Sequence, residues 1–246
     1  MVLDYTLAEA VSTRIPISPR LVRGPAKADL WPTDLPPPER LADRDQGEAI
    51  VDHRTSWVRR IDTARGGVFI KTYEYATWAS RLRDFGHRTR PGARSRAAAE
   101  FDALHWMRQR GLPAPEPIAA LEWRRFGFLV RATLVSTAAP GEPAAVVLPR
   151  LPQGDRAELA RAIGTLVRRL HALGFRDRNL DLRNLVVHCS HGEWAIAKID
   201  SPRHRLVPPG RPTDSLARED WARLLPQLEA LGVAAAACRA AGMPQP

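Results

Sequence analysis

Two stretches in the second half of the chain concentrate the side chains that could do chemistry. The first places carboxylates and amides two or three residues apart, and the second ends an apolar run with a carboxylate; the residues are Asp177, Asn179, Asp181 and Asn184, then Asp200. Polar groups between apolar runs are expected to be partly buried, where each needs a partner. Carboxylate and amide oxygens bind hard cations such as Mg²⁺, and a carboxylate can accept a hydroxyl proton. A phosphate–magnesium centre would supply partners for all of them.

Two elements are expected to position these side chains, a helix before them and a hairpin after them. Past Asp155, the expected N-cap, apolar residues recur at helical spacing up to Gly174, at Leu159, Ile163, Leu166, Leu170 and Leu173. Strand-like runs at 185–187 and 194–199 then predict a hairpin. Asp200 lies at the far end of that hairpin, so the two stretches are expected to meet.

A second pair of charged residues lies in the first half of the chain. Residues 56–61 and 67–73 are rich in β-branched and aromatic side chains and predict a hairpin that carries Lys71. A helix is predicted over 95–110, and its apolar stripe contains Glu100 beside Ala97, Leu104 and Met107. A buried carboxylate needs a cation, so we expect Lys71 and Glu100 to pair. Otherwise Lys71 is a snorkelling surface lysine and Glu100 a half-buried surface acid.

Changes in composition divide the chain into four parts. Residues 1–45 are rich in proline and predict an extended arm; they precede a lobe over 46–138, a connector rich in Pro and Gly over 139–154, and a second lobe over 155–246. We find no internal repeat.

The last periodic run, residues 216–231, predicts a helix that Pro226 should kink or divide. Taken by itself, Asp220 on this helix is an exposed acid.

Charge and cysteine content limit the classes of function. The chain has 37 basic and 27 acidic residues, a net charge of +10, yet only three lysines, Lys27, Lys71 and Lys198. The arginine excess either fills solvated faces or attracts phosphate. Arginines are scattered without stacking aromatics, which disfavours nucleic-acid binding. Two cysteines without zinc or redox spacing indicate a reducing compartment. No apolar stretch approaches the roughly 20 residues of a membrane span, so we expect a cytoplasmic protein, at most peripheral at the inner face of the membrane.

The order of these parts resembles the protein-kinase-like fold: a strand lysine, a helix glutamate, a connector, a helix, a loop with Asp and Asn, a hairpin, and a strand-end Asp. Within that superfamily the chain resembles the lipopolysaccharide kinase family, the Kdo and heptose kinases of the WaaP type. The motifs that carry the resemblance span roughly residues 50–230 and lie at 69–73, 96–115, 176–187, 199–200 and 218–224. The resemblance implies an α+β, two-lobe fold with a small β-rich N-lobe and a truncated, mostly helical C-lobe.

The resemblance also implies roles for the polar residues. In the family, the strand lysine and helix glutamate, here Lys71 and Glu100, hold the ATP phosphates, and the loop Asn and strand-end Asp, here Asn184 and Asp200, bind Mg²⁺. A loop aspartate accepts the proton of the substrate hydroxyl. The equivalent of the 216–231 helix holds the backbone of the catalytic loop in the family, so the resemblance gives Asp220 that role as the alternative to an exposed acid. The implied activity is an ATP- and Mg-dependent transfer of phosphate to a sugar hydroxyl of a lipopolysaccharide core or related glycolipid. Peripheral contact with an anionic membrane surface would accompany it.

The loop departs from the family pattern at the residue that serves as the catalytic base. In the family an Asp precedes the metal-binding Asn by five residues, and here that position is Asn179. Asp177 and Asp181 lie on either side of it, and either could serve as the base after a small shift of the loop. No glycine-rich loop occurs over residues 48–57. The alternative to a kinase is therefore a catalytically inactive, kinase-like binding module, and both interpretations remain open at this point.

Overall fold

The structure is a computed structural model that describes residues 18–24, 31–64, 66–75, 91–210 and 214–243. Within these ranges the chain forms eleven strands, five α-helices and two short 3₁₀ helices. Most strands belong to the N-terminal half and most helices to the C-terminal half.

The N-terminal half contains a six-stranded antiparallel sheet in the order β1-β5-β6-β4-β3-β2. The strands are β1 Arg20–Arg23, β2 Glu48–His53, β3 Ser56–Thr63, β4 Gly66–Glu74, β5 Pro117–Arg125 and β6 Phe128–Thr137. Side chains of β4 alternate between the two faces of the sheet. Val68 and Ile70 pack into one core, whereas Tyr73 packs into another on the opposite face. Lys71 shares the face of Tyr73.

Helix α1, Arg96–Gln109, packs on the Tyr73 face of the sheet against β5 and β6. It begins where the Ser95 hydroxyl accepts a hydrogen bond from the Ala98 amide at 3.1 Å, an N-cap that satisfies one of the free amides of the first turn. The buried face of α1 consists of Ala97, Ala98, Glu100, Phe101, Ala103, Leu104 and Met107. Glu100 is therefore buried with the apolar stripe, as its spacing predicts.

The described part of the proline-rich segment packs on the sheet. Strand β1 extends the sheet by pairing with β5, and Leu35, Leu41 and Ala42 cover the face opposite to α1. Their core partners are Val68, Ile70, Ala119, Leu121, Trp123 and Val135. These residues thus have a tertiary role that an arm of loosely packed backbone does not have.

The C-terminal half is mostly helical, with α2 Ala144–Val147, α3 Gln153–Ala172, α4 Ser215–Glu229 and α5 Ala234–Ala241. Helix α3 starts two residues before the expected N-cap, so Asp155 lies in its first turn, where a negative charge is favourable. Pro226 lies inside α4, which continues to Glu229 and is not divided there. Helices α3 and α5 approach so closely at Gly164 that a Cβ there would overlap the Ala237 carbonyl oxygen.

Short strands connect the helices to the loop that carries the polar residues. They are β7 Glu142–Pro143, β8 Phe175–Arg176, β9 Leu185–Ser190, β10 Glu193–Lys198 and β11 Arg205–Leu206, in two small sheets ordered β10-β9-β7 and β11-β8. The predicted hairpin is β9 and β10, and Asp200 follows its second strand. Within the described ranges, no α-helix has both the length and the apolar character that a membrane crossing requires. The mixed architecture, with a β-rich lobe followed by a mostly helical one, confirms the predicted fold class.

Candidate active site

Lys71 connects three parts of the fold. Its Nζ lies 3.1 Å from Glu100 Oε2 of α1 and also donates to Asp200 Oδ1 after β10. Tyr73 OH donates to Glu100 Oε2 at 3.2 Å. Burial alone would lower the pKa of Lys71, but the Glu100 carboxylate, with Asp200, outweighs it and holds that pKa well above its usual range. The structure therefore brings the predicted lysine and glutamate together as an ion pair with a protonated lysine.

Asp200 is held by the loop between β8 and β9. Asn179 Nδ2 donates to the carbonyl oxygen of Asp200 at 3.0 Å and to its Oδ2 at 2.9 Å, and Asn184 Nδ2 donates to the Asn179 carbonyl oxygen at 3.0 Å. Burial would raise the pKa of Asp200, but the Lys71 ammonium outweighs it and lowers the pKa, so the carboxylate is ionised. Asp200 also has a φ of 56°, an uncommon conformation for a residue with a side chain. These contacts fix its position.

Asp177 faces the interior of the C-terminal half. Its side chain is 1% exposed, and its Oδ2 lies 3.1 Å from the Nζ of Lys198, which is completely buried. Lys198 also donates to the carbonyl oxygen of Ile199, the residue before Asp200. Burial raises the pKa of Asp177, and the Lys198 ammonium opposes that rise. The pair ties the start of the loop to the end of β10, and it leaves the Asp177 carboxylate without access to a substrate.

Asp220 of α4 binds the backbone of the same loop. Its Oδ2 accepts from the Asp177 amide at 3.0 Å and from His171 Nε2 at 3.1 Å, and its Oδ1 accepts from the Arg178 amide at 2.6 Å. The residue is 1% exposed. Of the two interpretations offered by the sequence, the structure shows the one in which Asp220 holds the loop.

Asp181 lies at the surface of the loop, where it caps the 3₁₀ helix Leu182–Asn184. Its Oδ1 accepts from the Arg183 amide at 2.9 Å and from Arg183 Nε at 3.0 Å, and its Oδ2 accepts from Arg183 Nη2 at 3.0 Å. These hydrogen bonds lower the pKa of Asp181. The hydrogen bond to Asp181 in turn raises the pKa of Arg183. Asp181 is thus an ionised carboxylate, 17% exposed, two residues along the loop from Asn179.

The donor set around Asp200 suits a magnesium ion bound together with phosphate. Asn184 uses its Nδ2 for the loop backbone, so its Oδ1 is the atom that can act as a ligand beside the Asp200 carboxylate. In the part of the chain that the structure describes, no three His, Cys, Asp or Glu side chains converge as a metal site. Mg²⁺ is commonly held by one or two protein ligands, with water and phosphate oxygens completing its shell. The residues present fit that mode of binding.

Two contributors to the site are absent from the sequence predictions, Lys198 and the pair of Arg176 with Asp214. Arg176 is completely buried, with its Nε 3.0 Å from Asp214 Oδ1 and its Nη1 2.9 Å from the His171 carbonyl oxygen. The burial of Lys198 could have been predicted from the sequence, because side chains alternate along a strand and Lys198 falls on the same inward face of β10 as Ile196. Nothing local indicates the partner of Arg176, because Asp214 lies 38 residues further along the chain.

Comparisons with known proteins agree with the geometry. A search of curated proteins finds the 3-deoxy-D-manno-octulosonic acid kinase of Vibrio vulnificus strain YJ016, 28% identical over 133 residues, and that of Vibrio cholerae, 29% identical over 133 residues. Each match covers 54% of this chain and 51% of the relative, so the chain spans about half the length of the curated relatives it matches.

A solved structure and a family model cover more of the chain. The structure described as WaaP in complex with acyl carrier protein matches with a TM-score of 0.62 and 18% identity, over 91% of this chain and 88% of that one, which shows a shared fold. The model of the lipopolysaccharide kinase (Kdo/WaaP) family matches residues 44–236. The chain therefore belongs to the lipopolysaccharide kinase (Kdo/WaaP) family.

Proposed function

We propose that this protein is an ATP- and Mg-dependent kinase that transfers the γ-phosphoryl group to a sugar hydroxyl of a lipopolysaccharide core or related glycolipid. The observation that carries the proposal is the position of Lys71 between Glu100 and Asp200. Asn179 donates a hydrogen bond to the same Asp200, and Asn184 in turn donates one to Asn179. The names of the curated relatives support a sugar acid of the Kdo type as the acceptor.

The side chains of the site have separate tasks in such a transfer. Lys71, kept protonated by Glu100, binds phosphate oxygens, and it must exchange its contact with Asp200 for them when nucleotide enters. Asp200 and Asn184 would hold Mg²⁺, which when bound supplies charge neutralisation on the phosphates. Asn179 keeps the Asp200 carboxylate in place through its two hydrogen bonds. Catalysis rests mainly on positioning and charge stabilisation.

We assign the base to Asp181. Of the three residues that the sequence offers, Asn179 has no basic carboxylate and Asp177 is buried against Lys198. Asp181 is ionised and partly exposed, and it lies between Asn179, which donates to Asp200, and Asn184, which donates to Asn179. Its lowered pKa keeps the carboxylate ionised at neutral pH, so it can accept the hydroxyl proton during transfer. Arg183 orients the carboxylate through both of its oxygens.

The net charge of +10 supports a cytoplasmic protein that contacts the anionic inner face of the membrane, where a glycolipid acceptor would present its sugars. This contact is part of the proposal and concerns access to the acceptor. It needs no membrane-spanning segment.

The test is phosphate transfer from labelled Mg-ATP to a Kdo-containing glycolipid by the full chain. Asp200→Ala should abolish transfer, and Asp181→Asn should lower kcat by about 10²-fold or more while the thermal shift given by Mg-ATP is retained. Asp62→Asn, on the exposed end of β3, serves as the matched control. Transfer that is unchanged in Asp181→Asn would remove the assignment of the base.

A second candidate function is nucleotide or partner binding without transfer, which Asn179 at the family's base position favours. Wild-type protein that shows a thermal shift with Mg-ATP but transfers no phosphate to any core-sugar acceptor would support this alternative. Transfer that depends on Asp181 would exclude it.

A further inference from the structure

A small basic cavity lies beside the candidate active site. It measures about 210 Å³ and opens between the first turn of α1 and the segment that follows Asp200. Four of its lining residues are arginines, Arg94, Arg96, Arg203 and Arg205. Guanidinium groups gathered around one cavity make its electrostatic potential positive, which favours binding of an anion from the protein or from a ligand.

The protein compensates one of these four arginines. Arg94 forms an ion pair with Asp102 of α1. Within the described ranges, no carboxylate pairs with Arg96, Arg203 or Arg205, and the Nε of Arg96 is buried without a hydrogen-bond partner. His204 in the same wall adds no positive charge near neutral pH, because burial lowers its pKa. Among the residues that the structure describes, three of the four guanidinium groups thus have no carboxylate partner.

Tyr73 links this cavity to the active site. The Arg96 guanidinium lies 5.6 Å from the centroid of the Tyr73 ring, and Lys71 Nζ lies 5.5 Å from the same centroid. The two cations are thus separated by no more than the sum of those two distances. On the opposite wall, Arg203 follows Asp200 by three residues. Both walls lie close in sequence to residues of the site, because Ala99 precedes Glu100 and Pro202 follows Asp200 by two residues.

We propose that Arg96, Arg203 and Arg205 bind a second anionic group of the acceptor while its reacting hydroxyl lies at Asp200 and Asp181. This inference rests on the proposed function and defines its substrate more closely: the acceptor is a sugar that carries a carboxylate or a phosphate near the hydroxyl that is phosphorylated. Guanidinium groups recognise both anions through paired N–H donors. The curated relatives are named for a sugar acid, whose carboxylate is one source of the charge, and a phosphate on the glycolipid is the other.

The test compares wild type with the double variant Arg203→Gln/Arg205→Gln, which changes two exposed side chains. The KM for a Kdo-containing glycolipid should rise about 10-fold or more, since each lost charged hydrogen bond has roughly that effect. The kcat and the KM for ATP should stay within about twofold. Arg168→Gln, on the exposed side of α3, is the matched control and should leave all three constants unchanged.

Modified acceptors identify the anion. If the cavity binds the sugar carboxylate, esterifying that carboxylate should raise the KM of wild type but not that of the double variant. If the cavity binds a phosphate, dephosphorylating the glycolipid should raise the KM of wild type but not that of the double variant. The inference would be overturned if each modification raised the KM of wild type and of the double variant equally. It would also be overturned if the double variant had the same KM as wild type for the unmodified glycolipid. Titration of the same glycolipid without ATP tests the pocket independently of turnover. Absence of transfer by wild type counts against the kinase, whereas unchanged glycolipid affinity in the double variant counts against the pocket.

Discussion

Two of the three lysines in the chain, Lys71 and Lys198, lie against carboxylates in the candidate site. The other Lys or Arg side chains in the described residues are all arginines. The ammonium group is compact, whereas a guanidinium is planar and needs room for five donors. Both lysines are confined: Lys71 lies between two acidic side chains, and Lys198 is completely buried. At the scale of single residues, these two lysines each place a compact cation against carboxylates of the candidate site.

The Lys198–Asp177 pair should contribute strongly to stability. Lys198→Met would leave the buried Asp177 carboxylate without its cation, and breaking a buried pair in this way costs about 3–5 kcal/mol. Chemical denaturation near neutral pH measures this loss. In the double variant Lys198→Met/Asp177→Asn no charge is left unpaired, so most of the stability should return.

The pH dependence of that loss has a definite sign. Burial raises the pKa of Asp177 above its usual value of 3.8, so the native state binds the proton more tightly than the unfolded chain. The contribution of Asp177 to stability therefore falls as pH rises through the interval above 3.8. Removing Lys198 should raise the Asp177 pKa further and so widen the pH interval over which this stability is lost. The loss of stability in Lys198→Met should therefore be smaller at about pH 5 than at about pH 8. A deficit equal at both pH values would mean that Asp177 is not the group left unpaired.

The sequence identifies the polar residues of the site but not which of them face the substrate. Lys71 and Glu100 follow from local periodicity, because strand and helix spacing assign each a face. Asp177 and Asp181 cannot be separated in this way, since both lie in an irregular loop. Their orientation depends on Asp220, which bonds the Asp177 amide from 43 residues further along the chain.

At the scale of elements, α4 determines the shape of the loop. Its N-cap, Asp214, accepts from the Ala217 amide at 2.8 Å and also pairs with the buried Arg176 of β8. One turn and a half further on, Asp220 bonds the amides of Asp177 and Arg178. The loop is thus attached to α4 at two points, before and within its polar segment.

Two variants of Asp214 should distinguish its contribution to stability as the N-cap of α4 from its contribution as the charged partner of Arg176. Asparagine is as good an N-cap as aspartate, whereas alanine cannot cap, so Asp214→Ala should be less stable than Asp214→Asn by about 1 kcal/mol. Both variants leave Arg176 without its carboxylate and should be less stable than wild type. Thermal or urea unfolding gives the order. Equal stability of the two variants would show that the cap contributes nothing measurable.

Acid should reveal the charge of Asp214 separately. The hydrogen bond from Arg176 lowers the pKa of Asp214 below 3.8. Its contribution to stability is therefore present above that value and lost as pH falls through the lower pKa of the folded state. Asp214→Asn lacks this loss, so its stability should converge with that of wild type in acid.

Elements with strong local patterns could be predicted closely, and elements held by distant contacts could not. The predicted helix over 95–110 is α1, Arg96–Gln109, because capping and periodicity act within a few residues. Strand β1 has no such signal: its place in the sheet depends on pairing Leu21 with Leu121. For Pro226 the sequence allows a kink or a division of the helix, and α4 is continuous through it to Glu229, so the helix is not divided.

At the scale of the whole molecule, one hydrophobic core joins the two halves of the chain. It runs from Tyr73 on the sheet through Leu104 of α1 and Leu170 of α3 to Ala237 of α5. A smaller core lies on the other face of the sheet, closed by Leu35, Leu41 and Ala42. A shared core predicts that the halves unfold together. Tryptophan fluorescence, which reports Trp57 and Trp221 in different halves, and far-ultraviolet circular dichroism should therefore give coincident transitions.

The smaller core affects the active site because it packs against the face of β4 opposite to Lys71. Leu41 is fully buried and belongs to the same cluster as Ile70, the residue next to Lys71. Leu41→Ala should cost about 2–5 kcal/mol, the range for truncating a buried leucine. Leu206→Ala, at a side chain that is 52% exposed, is the matched control and should change stability by less than about 0.5 kcal/mol. Urea denaturation with an unchanged slope should give these values. A loss in Leu41→Ala no larger than in the control would mean that residues 31–42 do not close this core in solution, and β4 would then be positioned by its pairing with β3 and β6 and by the core on its other face.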